Sequence, residues 1–261
     1  MLSQAEIGAF VADGFVALRG VVPLPVLRAC QDEIWSALAE RGVLRDDPST
    51  WHDPVVRVPC PESEAFAAAG TRPVLREAFD QLIGAGRWWR RRGVGGSIPA
   101  RFPSEADPGD AGWHIEASFG NGEERWVNYR SRGRGLLALY LFSDVDADSA
   151  PTRVRPGSHR DAARVLAPAA DAGLPWARAA QLAADASAGR PTALVTGQAG
   201  DVFLCHPFLV HAASWPHTGR HPRIIAQPGV ALHEEFPLVP PLSPVERAIA
   251  AGAGVTSAAV R

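Results

Sequence analysis

The chain has 261 residues and 46% hydrophobic content, enough for one sizeable core, and a formal net charge of −2 with a pI near 6.4 points to neither nucleic acid nor an anionic membrane surface as a partner. Its 26 basic residues are all arginine. Without lysine, Schiff-base and pyridoxal-phosphate chemistry and a Walker-type phosphate loop are excluded.

Ser3-Gln-Ala-Glu6 has the form of a capping box. Ile7, Phe10 and Val11 follow at helical spacing, and Asp13-Gly14 stops the helix. Phe15 to Leu18 reads as a short strand. After Pro23 and Pro25, residues Leu27, Cys30, Ile34 and Leu38 mark a second amphipathic helix, and a third is expected over Pro73 to Ile83. Residues 1–96 are thus expected to be mainly helical.

From Ser97 to Leu232 the character changes to short apolar runs separated by Gly, Pro and Asp. Leu136–Phe142, Thr192–Val195, Asp201–Cys205 and Arg223–Leu232 are the clearest, and such runs read as strands of a barrel or sandwich. An Ala-rich insertion at about 159–190 is expected to be helical within this 97–236 core. The Pro- and Ala-rich tail, 237–261, is expected to be loosely held. No repeat or linker divides the chain, so one domain over 1–261 is expected.

Cys30, Cys60 and Cys205 show no close pairing and read as free thiols in a reducing cytosol. The opening segment lacks a basic region, and no run reaches the roughly 18 apolar residues of a membrane span. A soluble cytoplasmic protein with no membrane partner is expected, as a monomer or homodimer.

The chemistry centres on Trp113-His114-Ile115-Glu116. Residues two apart in a strand share a face, so His114 and Glu116 can both project into a barrel. An imidazole and a carboxylate on one face form two corners of a 2-His-1-carboxylate triad, which leaves open positions on iron. An isolated H-x-E is a weak signal. The remaining corner must come from a distant strand, and Gly200-Asp201 through His206 to His211 offers it. His206 and His211 are five apart and face opposite sides of an extended strand, so at most one is a ligand. Twelve residues past His211 stands Arg223, whose guanidinium fork matches a carboxylate bidentately.

In these signals the sequence resembles the phytanoyl-CoA dioxygenase family across nearly its full length. The resemblance rests on Asp13-Gly14-Phe15-Val16 after a helix, on His114-Ile115-Glu116, on Pro156-Gly157-Ser158-His159, on Gly200-Asp201 with His211, and on Arg223 beyond it. It implies a mainly β fold, a double-stranded β-helix or jelly-roll core with N-terminal helices packed on one sheet. It also implies an Fe(II)- and 2-oxoglutarate-dependent dioxygenase that hydroxylates a small organic molecule with dioxygen. His114, Glu116 and His211 would be the catalytic metal ligands, with Arg223 anchoring 2-oxoglutarate. One departure stands out: the family carboxylate is usually Asp, and here it is Glu116. The presence of a carboxylate argues against a halogenase.

Other candidates are weighed against plainer roles. His211 is preferred to His206, which reads as a histidine behind the sheet. His159 reads as structural, and Ser158 is placed to cap the helix that follows. Arg223 is preferred to Arg220, which sits in an exposed turn. Arg101 is a second cosubstrate candidate, with an ion pair as the plainer reading. Arg90-Arg91-Arg92 reads as a solvated loop. Arg125, Trp126 and Tyr129, in the segment after the ligand strand, are candidates for substrate contact. Two further readings remain open: a non-catalytic metal- or small-molecule-binding jelly roll, and a cupin-like metal isomerase or hydrolase.

Overall fold

The Ser3 hydroxyl accepts the Glu6 amide while the Glu6 carboxylate accepts the Ser3 amide, so the helix α1 (Gln4–Asp13) begins where the capping box places it. It ends at Gly14, whose φ of 89° lies in the left-handed region that glycine enters at no steric cost. The chain then forms β1 (Phe15–Leu18), α2 (Leu24–Ala39), β2 (Val55–Pro59), α3 (Glu64–Gly70) and α4 (Pro73–Ile83). Next come β3 (Ser97–Arg101), β4 (Phe119–Asn121), β5 (Glu124–Val127), β6 (Arg134–Leu141) and β7 (Thr152–Val154). The insertion holds α5 (Ser158–Leu166), the short strand β8 (Leu174–Pro175) and α6 (Trp176–Ala186). The chain closes with β9 (Ala193–Val195), β10 (Val202–Cys205), β11 (His211–Ala212), β12 (Arg223–Ala226), β13 (Gly229–Ala231) and α7 (Pro244–Ala253). This computed structural model describes residues 1–116 and 118–254, with Asn121 described for its backbone only.

The main sheet runs β1-β10-β6-β12-β3-β2, with β13 also beside β6, and β11-β7-β9 forms a second sheet. All pairings are antiparallel. The two layers are read most clearly on β6. Leu136, Ala138 and Tyr140 pack with the helices, whereas Leu137, Leu139 and Leu141 pack with Val154 and Val195 of the second sheet and with Leu209 of the turn before β11. Period-two alternation therefore sorts β6 between a helix-covered outer face and an inter-sheet interior. The fold is the expected mainly β jelly roll with helices packed on one sheet. The N-terminal part is not only a buttress, because β1 pairs with β10 and β2 pairs with β3.

Three expectations are corrected. The tail is not loosely held as far as residue 254: α7 packs against α1, α4 and α5, and Val245, Glu246, Ala248 and Ile249 are buried. Residues 255–261 lie outside the described residues. The apolar run Arg223–Leu232 is two strands, because Pro228 lies between them and a proline has no amide to continue the ladder. The helix after Pro156 is capped by Gly157, not Ser158, whose hydroxyl instead accepts the Val210 amide at 2.9 Å.

Candidate metal centre

His114 and His211 lie directly opposite each other in a bridge in which each amide donates to the other's carbonyl at 2.9 Å. Directly opposed residues share a face. His211 also pairs in register with Val154, an interior position of β7, so both imidazoles point between the sheets. Glu116, two residues past His114, joins them. The ring centroids of the two histidines are 4.4 Å apart, and one ligand atom from each of the three residues falls within 4.8 Å of the others.

The segment carrying His114 is fixed from outside. Arg153, pointing away from the interior, donates to the carbonyl oxygens of both Ala111 and Ala213 and so ties the two histidine-bearing segments together. Arg153 and Arg155 stack on Trp113 at 4.9 and 4.2 Å. From α6, the Trp176 indole N–H donates to the Ile115 carbonyl at 2.6 Å. Ser158, by holding the Val210 amide, fixes the residue before His211.

The donor set suits a divalent metal. The Nδ1 atoms of His114 and His211 donate to the carbonyls of Gly112 and Leu209, at 2.8 and 2.9 Å, which directs each Nε2 to the interior. Burial, with His211 beside it, holds His114 below the ordinary histidine range, in the neutral form a metal needs. Burial works to raise the Glu116 carboxyl, but His211, Arg134 and His114 outweigh it and bring it down to about 2. Glu116 lies 3.5 Å from His211 Nε2 and 3.4 Å from Arg134 Nη1. The longer glutamate side chain thus still reaches both histidines.

A cavity of about 180 Å³ is lined by both histidines together with Arg223, Arg101 and Thr152. Strand register explains the company. Arg223 stands directly opposite Arg101, and Arg57 opposite Pro99, so the arginines of β2, β3 and β12 share the interior face. Asp110 ion-pairs with both Arg57 and Arg101, and these cations outweigh burial to keep its carboxyl below the usual range. Arg223 forms no ion pair among the described residues. It is 1% exposed, its Nη1 reaches only the Thr152 hydroxyl at 3.3 Å, and its Nε has no partner. Burial and the nearby Arg101 press its guanidinium down to about 9, so it is still a cation at neutral pH.

The sequence-derived candidates divide accordingly. His114, Glu116, His211, Arg223 and Arg101 come together, although Arg101 is already engaged by Asp110. His206 lies behind the sheet: its Nε2 donates to the Val245 carbonyl and its Nδ1 accepts the Phe208 amide. His159 is buried and donates to the Val11 carbonyl. Arg220 lies in a different hollow. Arg125, Trp126 and Tyr129 do not line the cavity: Arg125 is exposed on β5, and the Tyr129 hydroxyl accepts Arg130 Nε. Arg91, in the expected solvated loop, is half-buried and donates to the carbonyls of Gly93 and Gly229. Sequence reasoning missed Arg57, Asp110 and Thr152. Arg57 and Thr152 were visible only as polar residues among apolar strand neighbours, and Asp110, in a loop, gave no local signal.

The chain is similar to known proteins in sequence pattern and in fold. The family model described as phytanoyl-CoA dioxygenase matches residues 10–225. No curated protein matches. Among solved structures, the epimerase SnoN in complex with Fe3+, alpha ketoglutarate and nogalamycin RO is 19% identical, with a TM-score of 0.60, over 88% of this chain and 82% of that one. The alpha-ketoglutarate-dependent carbocyclase SnoK from nogalamycin biosynthesis is 18% identical, with a TM-score of 0.59, over 88% and 84%. HygX from Streptomyces hygroscopicus, with nickel, 2-oxoglutarate and hygromycin B bound, is 19% identical, with a TM-score of 0.55, over 88% and 87%. With the family model spanning both histidines, the carboxylate and the arginine, the chain belongs to the phytanoyl-CoA dioxygenase family.

Proposed function

We propose that the protein is a mononuclear non-haem Fe(II)- and 2-oxoglutarate-dependent dioxygenase that hydroxylates a small organic molecule. One observation carries the reading: a buried Arg223, without an ion-pair partner among the described residues, shares a small cavity with His114 and His211, the two histidines of a His-Glu-His cluster whose imidazole Nε2 atoms face inward. A buried cation without an anion is costly, and a dicarboxylate reaching from the cluster to Arg223 offsets that cost. The cavity of about 180 Å³ is below the 300–1,000 Å³ usual for larger ligands, which suits a cosubstrate of this size. The relatives solved with Fe3+ and alpha ketoglutarate, or with nickel and 2-oxoglutarate, support the same pairing.

His114 and His211 would hold iron through Nε2 and Glu116 through a carboxylate oxygen. Bound there, iron supplies dioxygen activation coupled to oxidative decarboxylation of 2-oxoglutarate. Arg223 receives the distal carboxylate of the cosubstrate, with the Thr152 hydroxyl beside it. Asp110 engages both Arg57 and Arg101, which leaves Arg223 as the arginine of the three without an ion-pair partner among the described residues. Val154, Leu209 and Ile225, between the sheets, keep bulk water from the interior face.

Anaerobic titration with Fe(II) and 2-oxoglutarate tests the reading. The weak visible charge-transfer band of the chelate is expected in the native protein and absent in Arg223→Ala and His211→Ala. Metal binding without the band would favour an isomerase, and a His211→Ala protein making succinate at the native rate would end the assignment.

A further inference from the structure

A larger cavity than the one beside the metal ligands lies elsewhere in the described residues. A cleft of about 650 Å³ lies beside Gly229 and Ala231 of β13, and its walls include Cys60, Glu62 and Arg90 to Arg92. Glycines at 93, 95, 96 and 229 leave its floor as bare backbone. Arg90 and Arg91 also face an adjoining hollow of about 230 Å³ with Arg72 and Arg76. Five arginines thus surround the two spaces against one carboxylate, Glu62. None of the five forms an ion pair among the described residues, and Arg72 Nε is buried without a hydrogen-bond partner.

Arg91 is oriented for a ligand. Its Nε donates to the Gly93 carbonyl at 3.1 Å and its Nη1 to the Gly229 carbonyl at 2.8 Å, which fixes the guanidinium plane. Its Nη2 meets no carboxylate among the described residues. A pre-positioned, partly desolvated fork is the arrangement that recognises a carboxylate or phosphate.

Gly229 links the cleft to the metal centre. A Cβ on its inner face would sit 2.1 Å from Arg134 Nη1, and that atom lies 3.4 Å from Glu116. One glycine backbone therefore separates the arginine cleft from the cation resting on the metal-ligand carboxylate. We propose that this cleft binds an anionic group, a carboxylate or phosphate, of the organic substrate, whose reacting carbon is thereby presented to the His114-Glu116-His211 centre. The proposal rests on the oxygenase reading for the second half of that statement only.

Calorimetric titration of the metal-free protein with inorganic pyrophosphate and, separately, tricarballylate tests the anion site without any iron chemistry. At least one is expected to bind, which of the two identifies the charged group, and Arg91→Gln should weaken it at least tenfold. Arg90→Gln/Arg92→Gln, on exposed side chains, should weaken it several-fold and remains informative if Arg91→Gln does not fold. Arg28→Gln, exposed on α2, controls for net charge and should bind like the native chain. Failure of both anions to bind, or equal binding by all variants, would overturn the site. In the Fe(II)- and 2-oxoglutarate-loaded protein, the bound anion should shift the charge-transfer band. Binding that leaves the band unmoved would overturn the link to the substrate. Absence of any band would instead count against the oxygenase reading, while the calorimetry would still decide the anion site.

Discussion

Arg223 illustrates how the demands of a site and of stability diverge at a single residue. The cation is buried, faces Arg101 directly across the strand pair, and meets no carboxylate within the described residues. Replacing such a group with an apolar side chain of similar length removes a desolvation cost, so Arg223→Met should leave the metal-free fold equally stable or more stable by about 1–4 kcal/mol. The same substitution should weaken 2-oxoglutarate binding at least a hundredfold. Urea denaturation alongside cosubstrate titration checks both, and a large loss of stability would show that Arg223 is paired in a way its surroundings do not indicate. Gly14 gives the opposite case. Its φ of 89° is unfavourable for any residue with a Cβ, and that Cβ would lie 2.5 Å from His159 Nδ1. Gly14→Ala should therefore cost about 1–3 kcal/mol in urea denaturation. Both residues were legible in the sequence, one from its distance beyond His211 and one from the Asp-Gly that stops a helix. Asp110 and Arg153 were not, because their roles depend on which segments the sheet topology brings beside them.

At the scale of elements, periodicity served well where one face is buried against one layer. The expected bounds of β1 and of the helix Pro73–Ile83 match the observed ones, since an amphipathic stripe or a short run bracketed by Gly or Pro leaves little choice. The tail defeated this reasoning because its Pro and Ala content masked a helix. The missed signal was local: Ser243 and Glu246 form a capping box of the same kind as Ser3 and Glu6. Glu246 does more than cap, since its fully buried carboxylate pairs with Arg87 at 2.7 Å and accepts the Leu238 amide. Removing one partner of a buried pair leaves the other groups unsatisfied, which typically costs about 3–5 kcal/mol. Glu246→Ala should approach that loss, whereas Ser243→Ala should cost about 1 kcal/mol. If both variants unfolded at the native urea midpoint, α7 would not be integral to the fold.

Across the whole molecule, short apolar runs such as Leu136–Phe142 made a barrel or sandwich legible and the family resemblance implied the jelly roll, whereas the two-layer sorting of β6 shows only in the fold; burial behind the main sheet has a consequence for pH. His159 and His206 sit there with ring centroids 4.8 Å apart, joining α1, α5 and α7 around the Pro156–His159 turn. Burial is the chief reason that His159 is held down to about 4; Arg160 and Arg190 push the same way, against the Val11 carbonyl and Asp161. His206 is held well below the ordinary histidine range by burial and by His159. A histidine with a depressed folded pKa binds its proton more readily in the unfolded chain. Above about pH 6.5 neither state is protonated and stability is at its full value. As the pH falls from there towards about 4, the unfolded chain takes up protons that the folded one refuses, and each such histidine lowers stability by about 1.4 kcal/mol per pH unit. For His159 the loss over that window approaches about 3 kcal/mol, and below it the contribution levels off. The depressed carboxyls of Asp161, Asp201 and Glu246 act lower, where their own protonation removes stabilisation as pH drops through the acid range. Urea denaturation of the metal-free protein between pH 7 and 4.5 should therefore show falling stability with a slope that His159→Gln reduces by about one proton. A slope unchanged by that substitution would mean that His159 is already protonated in the folded protein, with an unseen counter-charge behind the sheet.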